Sequence, residues 1–300
     1  MPRLVWAAVL LVPTIALASR YDPDADRAAL RQAATLSYSM IVDSTGLALE
    51  PAKVPAISAG LDEGRRLANL AAATAGSLVT AAKARSAEIE SVAKGLDRAI
   101  REASEPVAAE RLRLKRLASG HADLMKKFDA LADTDKKAAK PLLEKASGAL
   151  RAGDEGLRPL EGSVKIMGER ALEMESARSG VKWLLVEISS VTDATIRRAE
   201  DLPAPMAEAK VRLSALPDRT RVWDTLDLLR GIASRLLDAA DRACNRADEF
   251  RRLSADFDKA SGVFATARSA AAAGLAGSKS LINDAQGAQD RARERVEKPN

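Results

Sequence analysis

220-TRVWDTLDLLRGIASRLLDAADRACNRADEFRRLSADFDKASGVF-264 is the stretch whose reading decides the fold. Taken at alternating steps of four and three, it gives Val222, Leu226, Leu229, Ala233, Leu236, Ala240, Ala243, Ala247, Phe250, Ser254, Phe257, Ser261 and Phe264. None of these thirteen positions is charged and eleven are apolar, while Arg, Asp, Glu and Lys dominate the residues between. An apolar repeat of 3.5 residues held this long marks a helix lying along another helix. No proline occurs between Asp218 and Lys298, so no residue there forces the helix to stop.

Working outward, the same 4-3 rhythm recurs. Residues 57–103 carry Leu78, Ala82, Ile89, Val92, Leu96, Ala99 and Ala103 on a seam that only Arg85 interrupts. Pro106 predicts a turn there, with Ser104 as the new cap, or a kink. Residues 107–152 place Val107, Leu114, Leu117, His121, Leu124, Phe128 and Leu131 in register, with weak points at 133–135 and Pro141. Gly153 and Gly156 predict the next turn. Residues 157–201 follow, with Leu157, Leu160, Val164, Met167, Ala171, Met174, Val181, Leu185 and Ile188 on the seam. A short helix over 206–216 leads into the opening stretch. Beyond Gly262 three glycines dilute the pattern, and residues 294–300 are expected to fray.

The expected fold is therefore all-α: an elongated, antiparallel, coiled-coil-like bundle of four principal helices of about 45 residues, with flanking helices. The expected organisation is a signal peptide at 1–18, an N-terminal helix and Pro-containing connector at 19–56, a helical hairpin at 57–153, and a second hairpin with a C-terminal extension at 154–300. No segment alternates with period two, so no strand is expected. Alanine, the strongest helix former, dominates the apolar residues, and aromatics make up only 3%. Small side chains predict a thin core stabilised by many shallow contacts.

Arg3, the apolar run 4–18 and the small residues Ala16 and Ala18 read as a secretory signal cleaved before Ser19. The expected location is periplasmic or extracellular. Cleavage would remove Arg3 alone from the charged residues, leaving 46 basic against 42 acidic and a net charge of +4. That density does not suit nucleic-acid binding.

Chemistry-bearing motifs do not converge. His121 is the sole histidine and Cys244 the sole cysteine. One of each leaves a zinc ligand set short, and di-iron carboxylate bundles need Glu-x-x-His pairs that this sequence lacks. His121 reads as a packed seam residue, with a pH-sensitive layer as the alternative. Cys244 reads as a small hydrophobe, with an intermolecular disulfide as the alternative. Ser91-x-x-Lys94 and Ser179-x-x-Lys182 fit an acylating pattern but have no supporting elements. Gly60-x-x-x-Gly64 permits close helix approach. No enzyme activity, cofactor or metal is expected.

Charge is the uneven feature. Residues 111–145 hold ten Lys/Arg and five Asp/Glu. Arg111, Arg113, Lys115, Arg116, Lys126, Lys127, Lys136, Lys137 and Lys140 form a candidate patch for an anionic surface. One aromatic, Phe128, offers no stacking platform for nucleic acid. The expectation is a non-enzymatic structural or interaction protein of the cell envelope, meeting a protein partner or itself through helical faces. The alternative is an amphipathic membrane-surface or lipid-binding protein using this basic segment, helped by the Ala-rich seam over 269–281, which would open cheaply.

Overall fold

A computed structural model describes residues 23–215 and 219–298. The signal-peptide reading of 1–18 and the cleavage before Ser19 lie outside them. The described residues are all-α. Helix α1 spans Pro23–Gly46, and a single 3-10 turn at Pro51–Lys53 leads into α2, Val54–Ala93. Then come α3, Leu96–Asp129; α4, Asp133–Glu200; α5, Pro203–Ala215; and α6, Arg219–Glu297.

The opening seam holds. Twelve of its thirteen positions are buried and Ser261 is half-buried. Burial continues past Gly262, with one half-buried gap at Gly274. It continues through Phe264, Ala267, Ala271, Ser278, Ile282, Ala285, Gln289, Ala292 and Val296, all buried. The fraying expected over 294–300 is corrected as far as Glu297, where α6 ends: Val296 is 4% exposed and packs with Leu124 and Leu143, while residues 299–300 lie outside the described ones.

The expected set of helices of about 45 residues is also corrected, because three prolines lie inside helices and the break falls at a glycine. The helices run to 24, 40, 34, 68, 13 and 79 residues. Pro106 lies inside α3, and Pro141 and Pro159 lie inside α4. Each removes one N–H from the helix ladder, aimed at the carbonyl of residue 102, 137 or 155. Those three residues are exposed, so the freed carbonyl belongs to the solvent side of its helix rather than to the core, and the helix survives. The break falls instead at Lys94-Gly95, where the Gly95 N–H bonds the Val92 carbonyl at 3.2 Å. The α2 seam slips there as well: Val92 is 45% exposed and Ala93 takes its place inside. The weak point at 133–135 is a helix start. Lys126 and Lys127 end α3, and Asp133 and Asp135 open α4, each favourable to its helix dipole. Gly153 and Gly156 make no turn.

The chain divides into two compact units. Unit 1 takes the chain up to Glu88 with Gly180–Arg252; unit 2 takes Ile89–Ser179 with the chain from Leu253 on. In unit 1, α1 runs antiparallel to both α2 and α6. Ser44 and Ile41 meet Gly60 and Gly64, and Arg31 and Arg27 pair with Asp241 and Asp248. The C-terminal part of α4 lies beside α6, with Arg246 bonded to Glu187 and placed 5.7 Å over the Trp183 ring. That makes four helices around Leu30, Ile41, Leu61, Leu78, Leu226 and Leu236, with α5 adding Met206, Ala209 and Leu213. The Gly60-x-x-x-Gly64 motif is what lets α1 and α2 touch: a Cβ on Gly64 would stand 2.7 Å from Ile41 Cγ1. Ser37, fully buried, uses the closeness to donate a 2.8 Å hydrogen bond to the Gly64 carbonyl.

Unit 2 is built from three long helical segments. α4 runs antiparallel to α3, since Arg111 meets Glu161 and Leu124 meets Leu143. α6 runs parallel to α3, since Glu102 meets Arg268 and Lys127 meets Glu297. Val107, Leu114, Leu157, Leu160 and Ile282 form one core layer; Leu124, Ala139, Leu143, Ala292 and Val296 form another.

Candidate functional site: the α3–α4 groove of unit 2

The two helices α3 and α4 share α6 on one side. On the other side they leave a groove. Three hollows lie in succession along it, of about 430, 460 and 730 Å³. Such sizes fall in the range of ligand-binding clefts. The first hollow lies between Ser104–Lys115 of α3 and Glu161–Lys165 of α4. The last runs from His121 to Phe128 of α3 and from Asp133 to Ser147 of α4.

Its construction follows from heptad spacing. Ser104, Arg111, Ala118 and Met125 recur every seven residues on α3, and Val107, Leu114, His121 and Phe128 form the deeper row. Opposite them, Leu143, Leu150 and Val164 floor the groove from α4. Lys137, Glu144, Arg151, Arg158 and Lys165 stand along its outer α4 edge, again seven apart and all exposed. Two apolar side chains in the groove are strongly exposed: Leu112 at 51% and Met125 at 39%.

The nine residues of the expected basic patch are distributed unequally. Arg111, Lys115, Lys136, Lys137 and Lys140 line the groove. Arg113 and Lys127 turn instead to α6, bonding Gln286 and Glu297. Lys126 pairs with Asp123 of its own helix, and Arg116 is exposed. Arg111 is half-buried and gripped by Glu161 and Asp154, which hold its guanidinium charged and pull both carboxyls below their ordinary range. Arg158 binds Asp154 from the other side. Lys140 approaches Glu144 at 4.0 Å and Lys165 approaches Glu169 at 3.8 Å.

His121 sits on the seam as expected, half-buried at the groove wall, and burial pushes its pKa below the ordinary histidine value. Arg151, Arg158 and Lys165 were missed in the sequence. The turn read at Gly153 and Gly156 separated Arg158 and Lys165 from Lys137 and Arg151, and the seven-residue spacing that joins all four shows only on a continuous helix.

Cys244 lies in unit 1, fully buried, with its thiol 3.5 Å from the Arg27 carbonyl; burial raises its pKa. The half-exposed cysteine that an intermolecular disulfide requires is not found there. Among the described residues no cluster of three His, Cys, Asp or Glu could hold a metal ion, and no helix is long and apolar enough to cross a membrane.

The chain was compared with protein-family models, curated proteins and solved structures, and none matches it.

Proposed function

We propose that this protein is a non-enzymatic interaction module of the cell envelope, exported by its N-terminal signal, that engages its partner along the α3–α4 groove. One observation carries the reading: solvent-exposed apolar side chains, Leu112 and Met125, stand in a groove whose deeper rows are already apolar. Exposed apolar side chains along the wall of a cleft with an apolar floor and polar edges suit an interaction site. A site of this kind needs no catalytic group. Its helices supply a rigid frame, and the partner gains by covering the floor.

The test uses the protein purified from its native envelope. Leu112→Glu with Met125→Glu should lose co-purifying envelope components. Leu172→Glu, at a 75% exposed position elsewhere on α4, should retain them. Equal recovery by both variants would remove the groove from the reading.

A second reading is favoured by the exposure of Lys115, Arg116 and Lys137. Here the basic segment rests on an anionic membrane surface. Attraction of that kind is screened over about 8 Å at physiological salt. Replacing Lys115, Arg116, Lys126, Lys127, Lys136 and Lys137 with Gln should then abolish binding to anionic liposomes, and binding by the parent should vanish above about 0.5 M salt. Binding that persists in high salt would count against it.

A further inference from the structure

We infer that the α3–α4 groove takes an acidic amphipathic helix of a partner protein, seated as the fourth helix of unit 2. The inference rests on the groove being the interaction site, and adds what fills it.

Length comes first. The groove follows α3 from Ser104 to Phe128, about 36 Å at 1.5 Å per residue. A rod of roughly 24 helical residues covers that distance. A single small ligand would fill one hollow of the three.

Spacing comes second. Every row facing the groove repeats at seven residues: Ser104, Arg111, Ala118 and Met125; Val107, Leu114, His121 and Phe128; Lys137, Glu144, Arg151, Arg158 and Lys165. A seven-residue repeat on two neighbouring helices matches a third rod with the same repeat. Unit 1 closes its core with four helices, whereas unit 2 has three long segments and this groove. The groove lies where a fourth helix of an antiparallel bundle packs.

Charge comes third and selects the partner's chemistry. Four of the five residues on the α4 edge are basic, with Glu144 the exception, and over the three hollows eight basic residues outnumber five acidic ones, Asp133, Glu144, Asp154, Glu155 and Glu161. Within the groove, Lys136 adds to the same sign. Edge residues beside a helical seam choose the partner by charge. The matching rod carries an apolar stripe for Leu112, Met125, Phe128 and Leu143, and Asp or Glu beside it for Lys137, Arg151 and Lys165, since Arg158 is already held by Asp154. A flat anionic bilayer would meet the basic edge but could not reach the floor.

The experiment places a benzophenone-bearing phenylalanine at position 112, and separately at 125, in the full chain produced in its native envelope. Illumination and peptide sequencing of the adducts follow. The two positions are 13 residues apart on α3, about 20 Å. The expected result is two adducts on one Asp/Glu-rich segment of one protein, with attachment points about 11–15 residues apart. Introducing Lys137→Glu, Arg151→Glu and Lys165→Glu together should cut both yields by at least about tenfold through like-charge repulsion. Lys137→Gln, Arg151→Gln and Lys165→Gln should cut them less. Helix content by circular dichroism should match the parent in all variants, because these side chains are exposed. Lipid adducts, adducts on unrelated proteins, attachment points without that spacing, or yields indifferent to charge reversal would each overturn the helix. Absence of any adduct, with Leu112→Glu and Met125→Glu also harmless to co-purification, would overturn the groove itself.

Discussion

Ser278 of α6 donates a 2.8 Å hydrogen bond to the backbone carbonyl of Gly156 in α4. The bond crosses between two helices, and glycine makes it reachable. A Cβ at 156 would stand 2.8 Å from Leu281 Cδ1 and 3.5 Å from the Ser278 hydroxyl. Ser37 and Gly64 repeat the arrangement in unit 1, at the same 2.8 Å. In both units a buried serine on a mostly alanine seam finds its partner on the neighbouring backbone. These two buried hydroxyls are thus satisfied within a thin core, whereas the Ser254 hydroxyl on the α6 seam is buried without a hydrogen-bond partner.

Gly64 and Gly148 should answer oppositely to alanine. Alanine relieves the helix-interior cost of glycine, worth up to about 1 kcal/mol. At Gly148 a Cβ meets nothing within 4 Å, so Gly148→Ala should gain part of that. At Gly64 the new Cβ meets a branch of fully buried Ile41, and Gly64→Ala should cost about 1–3 kcal/mol. Urea denaturation measures both; a stabilised Gly64→Ala would mean α1 and α2 are not in this contact.

Removing the serine hydroxyls should cost less than crowding the glycines. Ser37→Ala and Ser278→Ala each lose one hydrogen bond, about 0.5–1.5 kcal/mol. The glycine carbonyl retains its own helix ladder. The two losses should add, since they lie in different units. Thermal unfolding of the double variant checks the sum.

The α6 seam makes the largest effects. Leu236 and Phe250 are both 0% exposed. Leu236→Ala should cost about 2–5 kcal/mol and Phe250→Ala about 3–5 kcal/mol. Leu236→Asp and Phe250→Asp should be worse, because each buries an unpaired charge. Arg252→Ala, on the exposed side, should change stability by about 0.5 kcal/mol or less. If the Asp variants melt with the parent, the register is wrong.

Acid should weaken the fold in two steps. Burial holds the His121 pKa below 6.5, so the unfolded chain takes up a proton before the folded one does. Stability therefore falls as pH drops below about 6.5 and levels off once the folded imidazole is protonated. His121→Asn should erase that step. Asp154 and Glu161, held down by Arg111, act lower. Their contribution is complete above the ordinary carboxylate range and is lost as pH falls through their depressed values. Arg111→Gln should flatten that limb, though both carboxylates are partly exposed and salt will blunt it. Melting curves between pH 3 and 8 separate the steps.

Cys244 should behave as a core residue. Its thiol is buried and its pKa is raised, so little thiolate is available to react. The folded protein should resist a thiol-labelling reagent, and labelling should follow unfolding in denaturant. Rapid labelling of the native chain, or a disulfide-linked dimer under mild oxidation, would contradict the packing.

The sequence by itself determined that the described chain is helical and which faces of its helices are buried. A seam such as 222–264 states both, because a 3.5-residue apolar repeat can hide only against another helix. The seam residues of α3 and most of those of α4 are equally legible. Tertiary structure decided where the helices stop. Pro106, Pro141 and Pro159 look like breaks in one dimension, but each frees the carbonyl of an exposed residue, so packing on the opposite face carries the helix through. Gly153 and Gly156 look like a turn; they are points where α3 and α6 press against α4. The candidate site depended on the same decision. Lys137, Glu144, Arg151, Arg158 and Lys165 share an edge only because α4 is unbroken between them. The charge segment at 111–145 was readable as composition, yet its members part company in space: Arg113 and Lys127 reach α6 while Lys136, Lys137 and Lys140 line the groove. Angular position around a helix separates them, and that angle acquires meaning only when neighbouring helices occupy some sides and leave one open.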